Sequence, residues 1–236
     1  MFLKIKNNYK QNVVKKEVFD HYSASFLYKT LKKLSENKKS ISIALSGGST
    51  PLPILEILKD YKLNWEYFNF FMVDERIVSI SSLSSNYGNI EKVFFRHINS
   101  SSYSMIKENY SIKECAIIYE KLVCSKIPLG ENNFPVFDLI LLGIGDDGHT
   151  ASLFPNTSGL NEIKKAVIKN SVPQLNTHRI SLTYPVLLNA SKIIILAKGV
   201  VKNEILKKIK IGEGHNYPIA KIINSNVDIT CILGLN

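Results

Sequence analysis

Cysteine is scarce in this sequence, and the cysteines present are not spaced for a structural site. Three occur in 236 residues, at Cys115, Cys124 and Cys231. An odd number without CxxC spacing argues against a disulfide framework and against structural zinc, and is typical of proteins in a reducing compartment. We therefore expect a hydrophobic core to hold the fold together, for which the 45% hydrophobic content is ample.

Long apolar runs and long flexible linkers are also missing. No stretch reaches the ~20 consecutive apolar residues that a membrane-spanning helix needs. The first residues, MFLKIKNNYKQ, lack the apolar core of a secretory signal. No long segment rich in proline, glycine and serine divides the chain. The sequence therefore predicts a cytoplasmic protein with no membrane partner, folded as one domain over residues 1–236.

Acidic residues are too few to balance the basic ones. The chain has 20 Asp and Glu against 30 Lys and Arg, a formal net charge of +10. Such an excess can indicate nucleic-acid binding, but the lysines are spread along the chain and no basic helix with interleaved aromatic residues stands out. We therefore expect no nucleic-acid partner, and a positive field that helps to attract phosphorylated small molecules.

Short runs of branched aliphatic residues alternate with segments of helical periodicity. This alternation, with few hairpin signals, predicts an α/β fold of three layers in which helices flank a mainly parallel sheet. Two serine-rich segments, 79–85 and 100–104, are predicted as surface loops. Strands are predicted at 2–6, 41–45, 69–73, 137–142, 166–168, 179–183, 192–197 and 229–233, and helices at 15–33, 85–95, 112–123 and 199–208.

The predicted strand 137–142 ends in a glycine-rich turn that carries polar side chains. We call residues 143–155, GIGDDGHTASLFP, the His149 loop. A histidine just outside a glycine turn, with Asp146 and Asp147 before it, is placed to be held in one tautomer and used as a base near neutral pH. The alternative is that Asp147 caps a helix and His149 faces solvent. The residues alone leave both open.

The same loop contains the pattern GxGxxG of dinucleotide-binding proteins, formed by Gly143, Gly145 and Gly148. That fingerprint needs an uncharged loop against a pyrophosphate and an acidic residue about 20 positions later for the ribose. Here two aspartates occupy the loop, Glu162 comes too early and Asp228 too late. We therefore predict no nicotinamide cofactor, and the histidines show no metal-ligand spacing.

A second loop follows the strand 41–45 and reads SGGSTP. A strand, a loop of glycines and small hydroxyl residues, and then a helix with Pro51 in its first turn form an arrangement that can hold an anion. The lysine of a Walker P-loop is missing. A simple helix cap made by Ser49 or Thr50 explains the same residues, so both interpretations stay open.

Three charged residues, Asp74, Glu75 and Arg76, follow the next predicted strand. We expect them to leave the core. Arg76 can offer a bidentate fork to a phosphate, and Asp74 can orient a neighbour or a sugar hydroxyl. The alternative is a surface ion pair.

Five sequence blocks together resemble one known family. The His149 loop, SGGSTP at 46–51, VDER at 73–76, SNYG at 85–88 and RISLTYPVLLNAS at 179–191 resemble, in the same order, the motifs of the 6-phosphogluconolactonases. These belong to a larger group that includes the glucosamine-6-phosphate deaminases, whose Rossmann-like fold the resemblance implies. The blocks span most of the chain.

The resemblance implies an enzyme that hydrolyses 6-phospho-D-glucono-1,5-lactone to 6-phosphogluconate in the oxidative pentose phosphate pathway. Because a lactone is already an activated ester, we expect the reaction to need no metal or cofactor. His149 would activate water, Asp147 would orient the imidazole of His149, and N–H groups of the glycine-rich turn would stabilise the oxyanion. The sugar-phosphate substrate would be the partner, and the sequence leaves the oligomeric state open. The residues expected to bind it are Ser46, Gly47, Gly48, Ser49, Thr50, Asp74, Arg76, Arg179 and Lys202.

Two other functions stay open. A glucosamine-6-phosphate deaminase would share the glycine core, but the deaminases continue with an asparagine, a glutamate and a proline after the histidine, whereas residues 150–155 read TASLFP. A sugar-phosphate-binding module without activity, such as a regulator's effector domain, would be joined to a DNA-binding segment, and no helix-turn-helix pattern fits ahead of the first predicted strand.

Overall fold

The main sheet of the protein has seven strands, and every pair of neighbours in it is parallel. The computed structural model describes residues 8–236, so the strand predicted at 2–6 lies outside the described residues. Helices cover the sheet, which confirms the predicted α/β fold with a mainly parallel sheet. In chain order the strands and α-helices are β1 Tyr9–Lys15, α1 Phe19–Asn37, β2 Ile41–Leu45, α2 Pro51–Leu58, β3 Phe68–Met72, β4 Asp74–Arg76, α3 Asn86–Val93, β5 Ser101–Tyr103, α4 Ile112–Lys126, β6 Leu139–Gly143, β7 Val167–Val172, β8 Thr177–Leu182, α5 Tyr184–Leu187, β9 Lys192–Lys198, α6 Val200–Lys210, α7 Pro218–Ile223 and β10 Asp228–Leu235.

Strand order in the main sheet is β1-β10-β9-β6-β2-β3-β5. The central strands are apolar without alternation because helices cover both faces of the sheet. All five residues of β2 are buried, as are the first four of β6. At the β3 side of the sheet, Trp65 and Phe70 each meet the ring of Phe94 edge-on, with centroids 5.4 Å apart. No helix among residues 8–236 is both long and apolar enough to cross a membrane.

A second, smaller sheet was not predicted. It has the order β4-β8-β7 and is antiparallel. The chain passes from one sheet to the other at Val73, whose N–H donates to Leu45 O (2.9 Å) in the main sheet and whose carbonyl accepts from Leu182 N (2.8 Å) in the small one. A strand of three residues such as β4 is too short to give a periodic signal.

The prediction of a surface loop at 100–104 was wrong, because Ser101–Tyr103 form β5. This strand lies at the sheet edge and, within the described part of the chain, pairs only with β3, so its serines are exposed or half-buried. The short helix α7 was not predicted either. The carboxyl ends of β2, β6 and β9 lie at one edge of the main sheet, where open α/β sheets bind ligands.

Candidate functional site

A cavity of about 500 Å³ opens at the carboxyl edge of the main sheet. The loops after β2 and β6, the strand β4 and the start of α6 form its walls. Two other predicted site residues do not line the cavity: Asp147 contacts His149, and Arg179 lies opposite Arg76. The predicted site residues that line the cavity are Ser46, Gly47, Gly48, Ser49, Thr50, Asp74, Arg76, His149 and Lys202.

His149 is held by Asp147. Its Nδ1 lies 2.6 Å from Asp147 Oδ1, and the same oxygen accepts a hydrogen bond from the backbone N–H of His149 (3.0 Å). The imidazole stacks on the ring of Phe154, with centroids 4.0 Å apart. Asp147 therefore caps a turn and not a helix, so the helix-cap alternative was wrong. Among the described residues, none hydrogen-bonds Nε2, which leaves that nitrogen for a ligand or water.

The His149 loop is fixed by its own backbone. Gly145 N–H donates to His149 O (2.8 Å), Gly148 N–H donates to Gly145 O (3.1 Å), and Gly148 O accepts from Ile219 N–H of α7 (3.0 Å). A Cβ on Gly145 would overlap the imidazole, and Gly148 has φ +76° with Tyr217 against it. The N–H groups of Gly145 and Gly148 already donate hydrogen bonds within the loop. They are therefore not available to stabilise the oxyanion, which is the role predicted for the N–H groups of this glycine-rich turn.

The neighbouring Asp146 has a different partner. Lys202 at the start of α6 donates a hydrogen bond to its carboxylate, and this ion pair holds the pKa of Asp146 below its usual range. The Lys202 side chain is only 17% exposed, whereas that of Asp146 is 83% exposed. The carboxylate that contacts His149 is therefore that of Asp147.

The loop between β2 and α2 lines the cavity. Neither Ser49 nor Thr50 caps α2 through its side chain, so the helix-cap interpretation of SGGSTP was wrong. Within residues 8–236, Ser46 Oγ is buried and has no hydrogen-bond partner. Gly47 packs on the Asn86 side chain where a Cβ would overlap it, and Gly48 has φ +99°. A buried hydroxyl without a partner beside an uncapped helix N-terminus favours an anionic ligand here.

The expectation that Asp74 and Glu75 leave the core was wrong, because both are buried, 7% and 0% exposed. Glu75 accepts hydrogen bonds from the N–H groups of Arg76 (2.8 Å), Asn86 (2.7 Å) and Tyr87 (2.7 Å) and from Ser85 Oγ (3.1 Å). These donors compensate for the loss of water around the carboxylate. Burial nevertheless raises the pKa of both Asp74 and Glu75.

Two guanidinium groups come together at the small sheet. Arg76 of β4 lies directly opposite Arg179 of β8 in the antiparallel ladder. Arg76 Nη1 donates to Ser84 O (2.8 Å), and Arg179 Nη1 donates to Thr177 Oγ1 (2.9 Å). Burial and the charge of Arg76 lower the pKa of Arg179. Arg76 thus lines the cavity while Arg179 adds positive charge behind it.

Comparison with known proteins identifies the family. A sequence model described as glucosamine-6-phosphate isomerases/6-phosphogluconolactonase matches residues 15–231. The chain belongs to this family. It is 37% identical over 186 residues to the 6-phosphogluconolactonase of Chlamydia pneumoniae, covering 76% of this chain and 70% of that protein. It is 35% identical over 204 residues to that of Haemophilus influenzae, covering 81% and 84%.

Solved structures of 6-phosphogluconolactonases share the architecture. The structure from Thermotoga maritima matches with a TM-score of 0.83 at 25% identity, covering 96% of this chain and 100% of that one. The structure from Trypanosoma brucei matches with a TM-score of 0.83 at 26% identity, covering 98% and 97%. The family's fold therefore extends over nearly all of the chain.

In this member of the lactonase and isomerase family, the cavity also includes residues that were not predicted as site residues. Lys16 follows the edge strand β1, and no sequence pattern indicated it. Lys198 donates to Asp20 (2.9 Å), and Asn86 Nδ2 donates to Asp74 O (3.0 Å). Among residues 8–236, no group of three or more His, Cys, Asp or Glu side chains could hold a metal ion. The unpredicted polar side chains that line the cavity are Lys16, Asn86, Thr150 and Lys198.

Proposed function

We propose that this chain hydrolyses 6-phospho-D-glucono-1,5-lactone to 6-phospho-D-gluconate, with the whole of residues 1–236 acting as one α/β domain. The observation that carries the proposal is that His149, held by Asp147 at 2.6 Å, lines the same cavity as residues 46–50 and Arg76. A general base and an anion site in one cavity fit a phosphorylated ester. The names of the relatives specify which ester.

His149 is the proposed general base. Since Nδ1–H donates to Asp147, the lone pair of the neutral imidazole lies on Nε2, which can take a proton from water. The water oxygen bonds to the lactone carbonyl carbon, and the bond from that carbon to the ring oxygen then breaks. The ring oxygen receives the proton from His149, so the imidazole returns to its neutral form. Asp147 stabilises the imidazolium between the two steps.

The phosphate has its own proposed binding groups. The loop of residues 46–50, Arg76 and Lys202 surround it, with Arg179 adding charge behind Arg76, and Asp74 accepts a hydrogen bond from a sugar hydroxyl. These contacts hold the carbonyl carbon near His149, which lowers the entropic part of the barrier. A lactone is already an activated ester, so this scheme needs no covalent intermediate.

One observation distinguishes this reaction from glucosamine-6-phosphate deamination. The resemblance places a glutamate after the histidine in the deaminases, where it assists ring opening. In the corresponding segment here, the apolar ring of Phe154 stacks on His149. Residues 150–155 contain no acidic side chain that could assist ring opening, so hydrolysis is favoured.

A direct assay tests the function. Freshly generated 6-phosphogluconolactone also hydrolyses spontaneously, so the rate with protein is compared with the rate without it. We expect acceleration that a chelator does not reduce, and no release of ammonia from glucosamine 6-phosphate. Ammonia release would identify a deaminase, while binding of 6-phosphogluconate without lactone turnover would identify a binding module. Loss of activity with chelator would contradict the metal-free scheme.

Lys202→Met is expected to raise KM for the lactone by about tenfold while changing kcat less than threefold. The substitution removes a charge that binds phosphate in both the ground state and the transition state. Steady-state kinetics measure the effect, with Lys208→Met as the matched control, since Lys208 lies on the same helix but outside the cavity lining. An unchanged KM for Lys202→Met would remove this lysine from the phosphate site.

A further inference from the structure

Ser152 is a buried residue of the His149 loop that has been given no role so far. It is 1% exposed. Its Oγ donates a hydrogen bond of 2.6 Å to Asp74 Oδ2. In the part of the chain that the structure describes, no other group donates a hydrogen bond to this carboxylate. The pair joins the His149 loop to the short strand β4.

The backbone of Ser152 is itself held on both sides. Its N–H donates to Ser181 Oγ (3.2 Å), and its carbonyl accepts from Asn170 Nδ2 (2.8 Å). Ser181 lies on β8 and Asn170 on β7, both in the small sheet. In the β4–β8 ladder, Ser181 is also the residue opposite Asp74. The hydroxyl of Ser152 therefore reaches Asp74 from a fixed position that requires no ligand.

Several charged groups surround Asp74. Arg76 approaches from its own strand, Arg179 from β8 and His149 from the His149 loop, and their charges oppose the rise in the pKa of Asp74 that burial causes. Glu75, next in the chain, is also buried, and the negative charge of Asp74 contributes to the raised pKa of Glu75. Neither arginine hydrogen-bonds the Asp74 carboxylate. The orientation of this carboxylate is therefore fixed by the hydrogen bond from Ser152 Oγ.

The other oxygen of Asp74 accepts no hydrogen bond from the described residues, and Asp74 lines the cavity. An ionised carboxylate only accepts hydrogen bonds. Its natural partner in a cavity that binds a sugar phosphate is therefore a hydroxyl of the sugar. Because Arg76 and Lys202 are the proposed phosphate-binding groups, Asp74 and these basic groups would contact different parts of one ligand.

We propose that Ser152 is a positioning residue, which holds the Asp74 carboxylate in the direction needed to accept a hydrogen bond from a hydroxyl of the bound sugar phosphate. The identity of that ligand rests on the proposed function. The contact between Ser152 and Asp74 is independent of it.

Ser152→Ala tests the proposal. We expect the Kd for 6-phosphogluconate, measured by calorimetry, and the KM for the lactone to rise about tenfold, with kcat within threefold, because a charge-assisted hydrogen bond is lost from a group that binds ligand. The same substitution in an Asp74→Ala background is expected to have no further effect, since no carboxylate remains to be positioned. Ser152→Cys, which keeps a weak donor of similar size, is expected to give intermediate values.

Thr157→Val is the matched control. Thr157 belongs to the same buried polar group, since it accepts from Asn170 Nδ2 (3.1 Å) and donates to Phe154 O (2.8 Å), but it does not contact Asp74. It is expected to lower stability and leave Kd and KM unchanged. Equal effects of Thr157→Val and Ser152→Ala, or a full effect of Ser152→Ala in the Asp74→Ala background, would overturn the positioning role. Binding of 6-phosphogluconate is measured without turnover, so a wild-type protein that binds but does not hydrolyse would contradict the proposed function alone.

Discussion

His149→Ala is expected to lower kcat for lactone hydrolysis by about a hundredfold or more, because general-base catalysis by a positioned side chain contributes about 10² to 10⁴ in rate. KM should change little, since the imidazole acts on water while the phosphate is held elsewhere. Steady-state kinetics with freshly generated lactone measure both constants. The spontaneous rate is subtracted, because it contributes to the observed rate with every variant.

His21→Ala is the matched control, since His21 is an exposed histidine on α1 outside the cavity. It should retain the wild-type rate. Asp147→Asn should fall between the two, because the amide can still contact His149 but no longer stabilises the imidazolium. If His149→Ala kept wild-type turnover while folded, the base would have to be another residue of the cavity.

Glu75→Ala is expected to have the largest effect on stability, lowering the free energy of unfolding by about 3–5 kcal/mol. The carboxylate is fully buried and accepts from three backbone N–H groups and the Ser85 hydroxyl. Two of those N–H groups, of Asn86 and Tyr87, are in the first turn of α3, so removing the carboxylate leaves the helix start unsatisfied inside the protein. Such a loss is a large part of the ~5–15 kcal/mol by which domains are stable.

Urea unfolding, followed by far-ultraviolet circular dichroism, gives the free energy through the midpoint and slope. Glu108→Ala serves as the control, because Glu108 is exposed and should change stability by no more than about 0.5 kcal/mol. Glu75→Gln should be intermediate, since one of the two accepting oxygens is replaced by an NH2 group, which can only donate. Equal stability of Glu75→Ala and wild type would mean that water satisfies these N–H groups.

Much of the main sheet could be predicted from the sequence because its strands are buried on both faces. The prediction for β2, residues 41–45, matches the observed Ile41–Leu45, and β9 differs by one residue at its end. Helix α1 begins at Phe19 and not near residue 15, since residues Lys16–Val18 form a 3₁₀ turn first. The small sheet was not predicted because β4 forms a strand only through its pairing with β8, about 100 residues later in the chain.

The candidate site could be predicted where polar or charged residues directly follow a predicted strand. The rule that ligands bind at the carboxyl ends of parallel strands brings Ser46, Arg76 and His149 together without further information. The burial of Asp74 and Glu75 was not predictable, since their hydrogen-bond donors, Ser152 and the start of α3, become neighbours only in the fold. Lys16 also reaches the cavity through the tertiary arrangement alone.

The crossing of the chain at Val73 has a consequence for ligand binding. The N–H of Val73 is hydrogen-bonded to the main sheet and its carbonyl to the small sheet. The backbone is therefore held rigidly just before Asp74 and Arg76. This wall of the cavity therefore loses its conformational freedom when the chain folds, and little remains to be lost when a ligand arrives. On that side of the cavity, the entropic cost of binding therefore comes mainly from the substrate.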